Sequence, residues 1–328
     1  MSPLSGLKSA GAAAAALFAM GAALPAIAQQ WPSKPIRFVV PYSPGGISDI
    51  AARIIGAKLT EAWGQQVVVD NRPGGSGTIG TAAVAKSAPD GYTFVVATVG
   101  DFTISQHVIK NMPYDPENDL VPVAALTDTP CVLAANVNSP YKTLADVLAA
   151  AKKQPGKVSY ATPGVGAINQ LLMEWMANVS GTSFHHIPYK GGAPSGAAVA
   201  AGDVALGLLA VSSAMPHLKS GKVRMISNTA AKRSPIIPDV PTLREGGIAE
   251  VDGTNYTLIL GPKGTPQPIV AKLNGEINKI LNMADVKEKL AAGAAVTIPS
   301  TAAELAARLK RESAAFKVIV AKAKISSD

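Results

Sequence analysis

Cysteine is almost missing from this chain. Its 328 residues contain one, Cys131, which excludes an internal disulfide framework and any cysteine-rich metal centre. Charge is also scarce. Only 16% of residues are Asp, Glu, Lys or Arg, far too few for a disordered or coiled-coil chain. There are four histidines, and none stands at the i, i+4 spacing that puts two ligands on one helix face. His185 and His186 are adjacent, so on a strand they point to opposite faces. No G-x-S-x-G nucleophile elbow occurs, because Ser76 is followed by Gly77 and Thr78. After the first 30 or so residues, no run is long and apolar enough to span a bilayer.

What the chain does have is apolar bulk: 48% hydrophobic residues, with 30 glycines. Length alone suggests about two domains, able to bury a core without disulfides or metals. Thirty Lys and Arg stand against 22 Asp and Glu, a net charge of +8. That balance favours an anionic partner, but the charges are scattered rather than blocked, so nucleic acid is not expected.

The first 28 residues read as a cleavable secretory signal. Lys8 supplies the positive start, an apolar run follows from Ala10 to Leu24, and Ala26-Ile27-Ala28 precedes Gln29 as an A-x-A site. The run is too short and too broken by Gly and Pro for a membrane anchor. No twin arginine precedes it and no cysteine follows to take a lipid. The expectation is a soluble exported protein, starting near Gln29.

Short apolar runs then recur: Phe38 to Val40, Val67 to Val69, Phe94 to Val96, Val132 to Leu133, Val204 to Val211 and Leu258 to Leu260. They are nearly continuous, as strands buried on both faces of a parallel sheet should be. Helical stretches separate them. Ser48 or Asp49 can cap a helix whose Ile50, Ile54 and Leu59 share a face, with Gly64 ending it. Thr143 with Asp146 spells a capping box, stopped by Pro155-Gly156. Leu171, Leu172, Trp175 and Met176 mark another amphipathic helix. The last 60 or so residues are mostly helical, over Pro268 to Asn282, Asp285 to Ala292 and Thr301 to Lys322. Repeated βα units predict an α/β fold.

Ligands in such folds sit beyond the carboxyl ends of strands. Three loops qualify: Pro41 to Asp49, Thr98 to Asp101, and Ala161 to Gly166. In the first and third, glycines let the backbone approach a ligand and leave N–H groups at a helix start, which is anion-binding chemistry. Plain turn formation explains any one of them as well. Asp49 reads first as a charge favourably placed at a helix start, and second as partner for a ligand ammonium. Arg72 reads as part of the turn made by Pro73-Gly74, and Lys190 as a loop charge. Cys131 reads as a core thiol. Gly75 to Gly80 fits G-x-G-x-x-G with Asp101 further on, a dinucleotide fingerprint, but five residues, Asp70 to Gly74, separate it from the preceding strand.

The ordered motifs are more specific. Trp31-Pro32, Pro35-Ile36-Arg37, V-P-Y-S-P-G-G-I-S-D (Val40 to Asp49) and Asn71-Arg72-Pro73-Gly74-Gly75 come first. Ala88-Pro89-Asp90-Gly91-Tyr92, Pro113-Tyr114-Asp115-Pro116 and Pro188 to Pro194 (P-Y-K-G-G-A-P) follow, then Ala231 to Pro235 and Pro238 to Thr242. Across nearly the whole chain after the leader this resembles the Bug family, the extracytoplasmic receptors of tripartite tricarboxylate transporters. The resemblance implies a periplasmic binding protein type II-like fold: two α/β lobes joined by crossing strands, with a ligand cleft between them. Lobe one would take residues 29–127 and 254–328, and lobe two residues 128–253. It also implies a periplasmic, monomeric receptor with no cofactor, no metal and no catalytic groups. Such a receptor captures a small organic carboxylate and delivers it to membrane transporter subunits. Carried over by motif, the ligand-binding candidates are Tyr42, Ser43, Gly45, Gly46, Ser48 and Asp49 in the first loop. Thr162, Gly164, Val165, Gly166 and Ala167 stand opposite, with Thr98 and Tyr189 as additions.

Two departures bear on the ligand. Relatives often carry small polar residues and a His after the third loop, where this chain reads Gly166-Ala167-Ile168-Asn169. Where many have an Asp-Asn-like pair in a later strand, it has Leu208, Leu209, Ala210 and Val211, with Ser212 and Ser213 next. The expected pocket is therefore more apolar at its far end, suited to a dicarboxylate or an aromatic carboxylate. An exported NAD-dependent oxidoreductase is the alternative from another class, and a receptor serving a sensor kinase is the alternative within this one.

Overall fold

The computed structural model describes residues 31–323 and Ile325. The expected leader, residues 1–28, lies outside the described residues. Trp31 to Ser33 belong to a separate amino-terminal unit and contain a cis Trp31–Pro32 bond. All that follows concerns the unit that begins at Lys34.

The described residues form ten strands and twelve helices in βα alternation. In chain order come β1 (Ile36–Val40), α1 (Ile47–Trp63), β2 (Val67–Asn71), a 3-10 turn at Gly75–Gly77, α2 (Thr78–Ala85) and β3 (Thr93–Thr98). Three short helices follow, α3 (Val99–Thr103), α4 (Ser105–Val108) and α5 (Pro116–Asp119), and then the 17-residue β4 (Leu120–Asn136). The middle of the chain holds α6 (Leu144–Lys153), β5 (Ser159–Thr162), α7 (Ile168–Ser180), β6 (His185–Pro188), α8 (Gly192–Ala201), β7 (Leu206–Ala210), α9 (Val211–Lys219) and β8 (Val223–Asn228). Last come β9 (Thr254–Pro262), α10 (Gln267–Asn282), α11 (Ala284–Ala292), β10 (Val296–Thr297) and α12 (Ala302–Ala323).

The sheet order is β2-β1-β3-β9-β4-β7-β5-β6, with β8 and β10 also paired to β4. Pairing is parallel among β2, β1 and β3 and among β7, β5 and β6. Around β4 and β9 it is antiparallel, so the sheet is mixed rather than wholly parallel. Both faces of the inner strands are buried, which is why those strands read as unbroken apolar runs, while the edge strands β2 and β6 stay partly exposed. On β4, Cys131, Leu133 and Ala135 enter one core cluster while Val132 and Ala134 enter the other. Phe38 and Phe94 meet edge-to-face at 6.4 Å beneath β1 and β3.

Strand β4 ties the two halves of the molecule together. From Leu120 to Pro130 it pairs with β9, and from Cys131 to Asn136 with β7 and β8. Its prolines fall where the ladder is interrupted: Pro122 at a register shift, and Pro130 at the change of partner. A residue without an N–H costs little there. Helix α12 packs against β4, α3 and α7, touching both halves.

Helix α1 starts one residue before the expected cap. Gly46 is its N-cap, so Ser48 and Asp49 lie inside the first turn, and its buried face is Ala51, Ala52, Ile55 and Leu59. Gly64 closes it in the left-handed conformation at φ 67°. The Thr143–Asp146 capping box is present as the sequence predicts.

Candidate functional site

One cavity collects the loops at the carboxyl ends of the strands. Tyr42, Gly46, Ile47, Ser48 and Asp49 come from the loop and first turn after β1, and Thr98 from the end of β3. Across from them stand Pro163, Ala167 and Asn169 after β5, Gly192 after β6, and Ala210 and Ser213 after β7. Asn255, at the start of β9, completes the wall. The free space at its centre is about 30 Å³.

Four helices begin at this wall. Helices α1, α7, α8 and α9 start after Gly46, Ala167, Gly191 and Ala210, and none of the four has a side-chain cap. The first N–H groups of a helix have no intrahelical acceptor, and each such end carries partial positive charge. Each favours an anion by about 0.3–1 kcal/mol, and by more when water is excluded. Convergence of four ends makes the cavity electropositive without a single Lys or Arg on its wall.

The charged side chain on the wall is Asp49, and its charge is already spent. One oxygen accepts from Arg53 Nε at 3.0 Å, the other from the Gly45 N–H at 3.0 Å, and Arg53 Nη2 lies 2.9 Å away. Burial pushes the Asp49 carboxyl up, but Arg53, the Gly45 N–H and Asn71 outweigh it and hold the pKa below the ordinary value.

Behind the wall, Tyr42 and Thr98 are held by a buried carboxylate. The Tyr42 hydroxyl donates to Asp101 at 2.9 Å and 3.0 Å. The Thr98 N–H and hydroxyl donate to it at 2.7 Å and 2.9 Å, and the first of these bonds, with the Asp101 N–H returning to the Thr98 side chain, makes a capping box for α3. Asp101 is 1% exposed. Burial, only partly opposed by these hydrogen bonds, pushes its pKa up to about 6. Tyr42 is pushed far above its usual value by burial and the adjacent Asp101, so it stays a hydrogen-bond donor.

The two halves touch around the cavity. The Ser43 N–H donates to the Lys190 carbonyl at 2.9 Å, and the Val165 N–H to Ser76 Oγ at 2.9 Å. Ser76 holds a left-handed φ of 56°, uncommon for a residue with a side chain. Two glycines permit this approach. A Cβ on Gly164 would lie 3.0 Å from the Ser76 Cβ, and one on Gly100 would lie 2.8 Å from the Gly166 carbonyl oxygen. These glycines therefore admit the opposite half of the protein rather than a ligand.

Of the residues singled out by sequence, Tyr42, Gly46, Ser48, Asp49, Thr98 and Ala167 line the cavity. Ser43, Gly45, Thr162, Gly164, Val165, Gly166 and Tyr189 surround it without lining it. Their backbone N–H groups are engaged within the protein. Gly45 donates to Asp49, Gly164 to Thr162 Oγ1, Val165 to Ser76 and Gly166 to Gln170. Tyr189 donates to the Thr162 carbonyl, and the Thr162 hydroxyl pairs with His186 Nε2 at 2.6 Å. Leu208 and Leu209 lie in the sheet core, so Ala210 alone of that run reaches the cavity. Asn169 and Ser213 drew notice in the sequence only as departures from a family pattern. Asn255 carried no signal, because it opens a strand at the amino end. Arg72 pairs with Asp70 at 2.8 Å. Gly80, last of the G-x-G-x-x-G glycines, sits inside α2 against Pro41 and the Arg72 carbonyl.

Comparison with known proteins gives matches over most of the chain. Residues 51–324 match the family model described as the tripartite tricarboxylate transporter family receptor. Protein BugT of Bordetella pertussis is 35% identical over 282 residues, 86% of each chain. A solved R. palustris protein with adipate superimposes with a TM-score of 0.87 at 32% identity, over 90% of this chain and 99% of its own. MatC from Rhodopseudomonas palustris, with bound malate, gives 0.84 at 30% identity, over 88% and 100%.

Proposed function

The chain belongs to the tripartite tricarboxylate transporter receptor family, and from that premise we propose that it captures a small organic carboxylate between two lobes and delivers it to the membrane subunits of such a transporter. The observation that carries this reading is the convergence of four uncapped helix starts on one cavity whose sole acidic group is already neutralised. Relatives solved with adipate and with malate support a dicarboxylate as the class of ligand. We take residues 29–127 with 254–328 as one lobe and 128–253 as the other. The change of partners on β4 between Pro130 and Cys131 supports that division.

Binding follows from desolvation. As the lobes close, water leaves, and hydrogen bonds from the helix-start N–H groups and the Ser48 hydroxyl to the carboxylate strengthen in the lower dielectric. The ligand favours the closed arrangement, and closed receptor is what a transporter can distinguish from empty receptor. This is capture without chemistry. Export to the periplasm behind a leader at residues 1–28, and action as a monomer, belong to the same reading.

A thermal-shift screen of the protein from Gln29 onward, unfolded, dialysed and refolded to remove any carried ligand, tests it. The panel spans aliphatic diacids, hydroxy-diacids, aromatic acids, amino acids and NAD. A ligand present at about 100 times its dissociation constant adds about 2.7 kcal/mol. The expected outcome is a raised midpoint with at least one carboxylate and none with NAD. A refolded protein shifted by NAD, or by no acid, contradicts the reading.

A further inference from the structure

Three residues that line the cavity each carry a buried oxygen with no hydrogen-bond partner in the protein: Ser48 Oγ, Asn169 Oδ1 and Asn255 Oδ1. The residues are 3%, 1% and 4% exposed. They come from α1, α7 and the start of β9, three segments far apart in sequence. Nine such buried atoms occur among the described residues, and three of them belong to this one wall, where a bound ligand can supply the missing partner.

The chemistry of the donors they lack is defined by their surroundings. Asn169 Nδ2 donates to Cys131 Sγ at 3.4 Å, which leaves the amide oxygen as its unpaired end. The Asn255 backbone also lies against this buried thiol, so both asparagines approach Cys131. An amide oxygen only accepts, and a serine hydroxyl can accept and donate. A second carboxylate facing two amide oxygens meets like partial charge and no proton. An ammonium would supply protons, but it would sit among four helix starts that repel cations, beside an Asp49 already occupied by Arg53 and Gly45. A neutral donor fits all of these conditions.

We propose that Ser48, Asn169 and Asn255 form an acceptor subsite that makes this receptor prefer a carboxylate bearing a hydroxyl over the same acid without one. The assignment rests on the carboxylate-receptor reading and names the ligand class for that site. Of the run behind the expected apolar far end, Leu208 and Leu209 lie in the core and Ala210 reaches the cavity. The hydroxyl donates to the amide oxygens, and Ser48 Oγ can accept from it while donating to the ligand carboxylate. An acid lacking the hydroxyl leaves the buried oxygens bare.

Calorimetric titration with matched pairs tests the subsite: malate against succinate, and 2-hydroxyadipate against adipate, with aspartate as the ammonium probe. The hydroxylated member of at least one pair should bind about tenfold tighter or more. Asn169→Ala and Asn255→Ala, each checked for native circular dichroism, should bring that ratio towards one while still binding the unsubstituted acid. Equal or tighter binding of the unsubstituted acids, tightest binding of aspartate, or a ratio unchanged in both variants overturns the subsite alone. Failure of all five probes also overturns it, and the thermal screen then decides the wider reading: a shift with some other acid preserves it, and no shift removes it too.

Discussion

At the scale of single residues, the most consequential group off the cavity wall is Asp101. It is buried with three neutral donors and no cation, so the protein bears the cost of its charge at neutral pH. Its folded pKa of about 6 lies above the ordinary value of 3.8. Between those values the folded protein keeps a proton that the unfolded chain releases. Asp101 therefore contributes stability that is fully present below about pH 4 and lost as pH rises to about 6. The size is about 3 kcal/mol. Urea denaturation at pH 4.5 and at pH 7 measures it: Asp101→Asn should show a smaller loss between the two than the natural protein. Equal pH dependence in both would contradict this. In the sequence Asp101 read only as the end of a loop and as the acid that completes the glycine fingerprint. Its role depends on Tyr42, 59 positions away, and no local pattern encodes that meeting.

At the scale of elements, much was readable where one local rule decides. The Thr143–Asp146 box, the Gly64 stop and the carboxyl-terminal helices appear within a residue or two of expectation, because caps and amphipathic period act within a few residues. Strand β4 was read only at Val132 and Leu133. Its Pro122, Asp128 and Pro130 look like strand breakers until the change of partner explains them. The third loop misled in a different way: its glycines imply close backbone approach, but sequence alone does not say what approaches. Ser76 approaches Gly164, and the Val165 N–H is bonded to Ser76 rather than left for a ligand. Gly164→Ala places a Cβ 3.0 Å from the Ser76 side chain, which obstructs closure and leaves each lobe's core untouched. Ligand affinity should fall by about tenfold, since the competent closed state becomes rarer, with the melting temperature of the ligand-free protein little changed. Titration together with a melting curve checks it, and unchanged affinity would contradict the role assigned to the contact.

At the scale of the whole molecule, the sheet is one continuous structure and the site belongs to neither half alone. Ser48 and Asp49 stand on one side of the β4 crossover, Asn169, Gly192 and Ser213 on the other, and Asn255 beside the crossing itself. The alternation of strands and helices was legible as an α/β fold, and the ordered motifs as a receptor family. The antiparallel pairing of β4 and β9, and the wall it creates, were not, since strand partners are set by tertiary packing rather than by the composition of each run. What unites these observations is an electropositive cavity made from helix starts instead of cationic side chains. Its consequence is that the ligand must carry a formal negative charge. The direct test is calorimetric titration of the strongest-binding diacid from the screen against its dimethyl ester, which keeps the carbon skeleton and removes both charges. Loss of the charge-assisted hydrogen bonds should weaken the ester by about a hundredfold or more. An ester that binds as tightly as the acid would contradict the account.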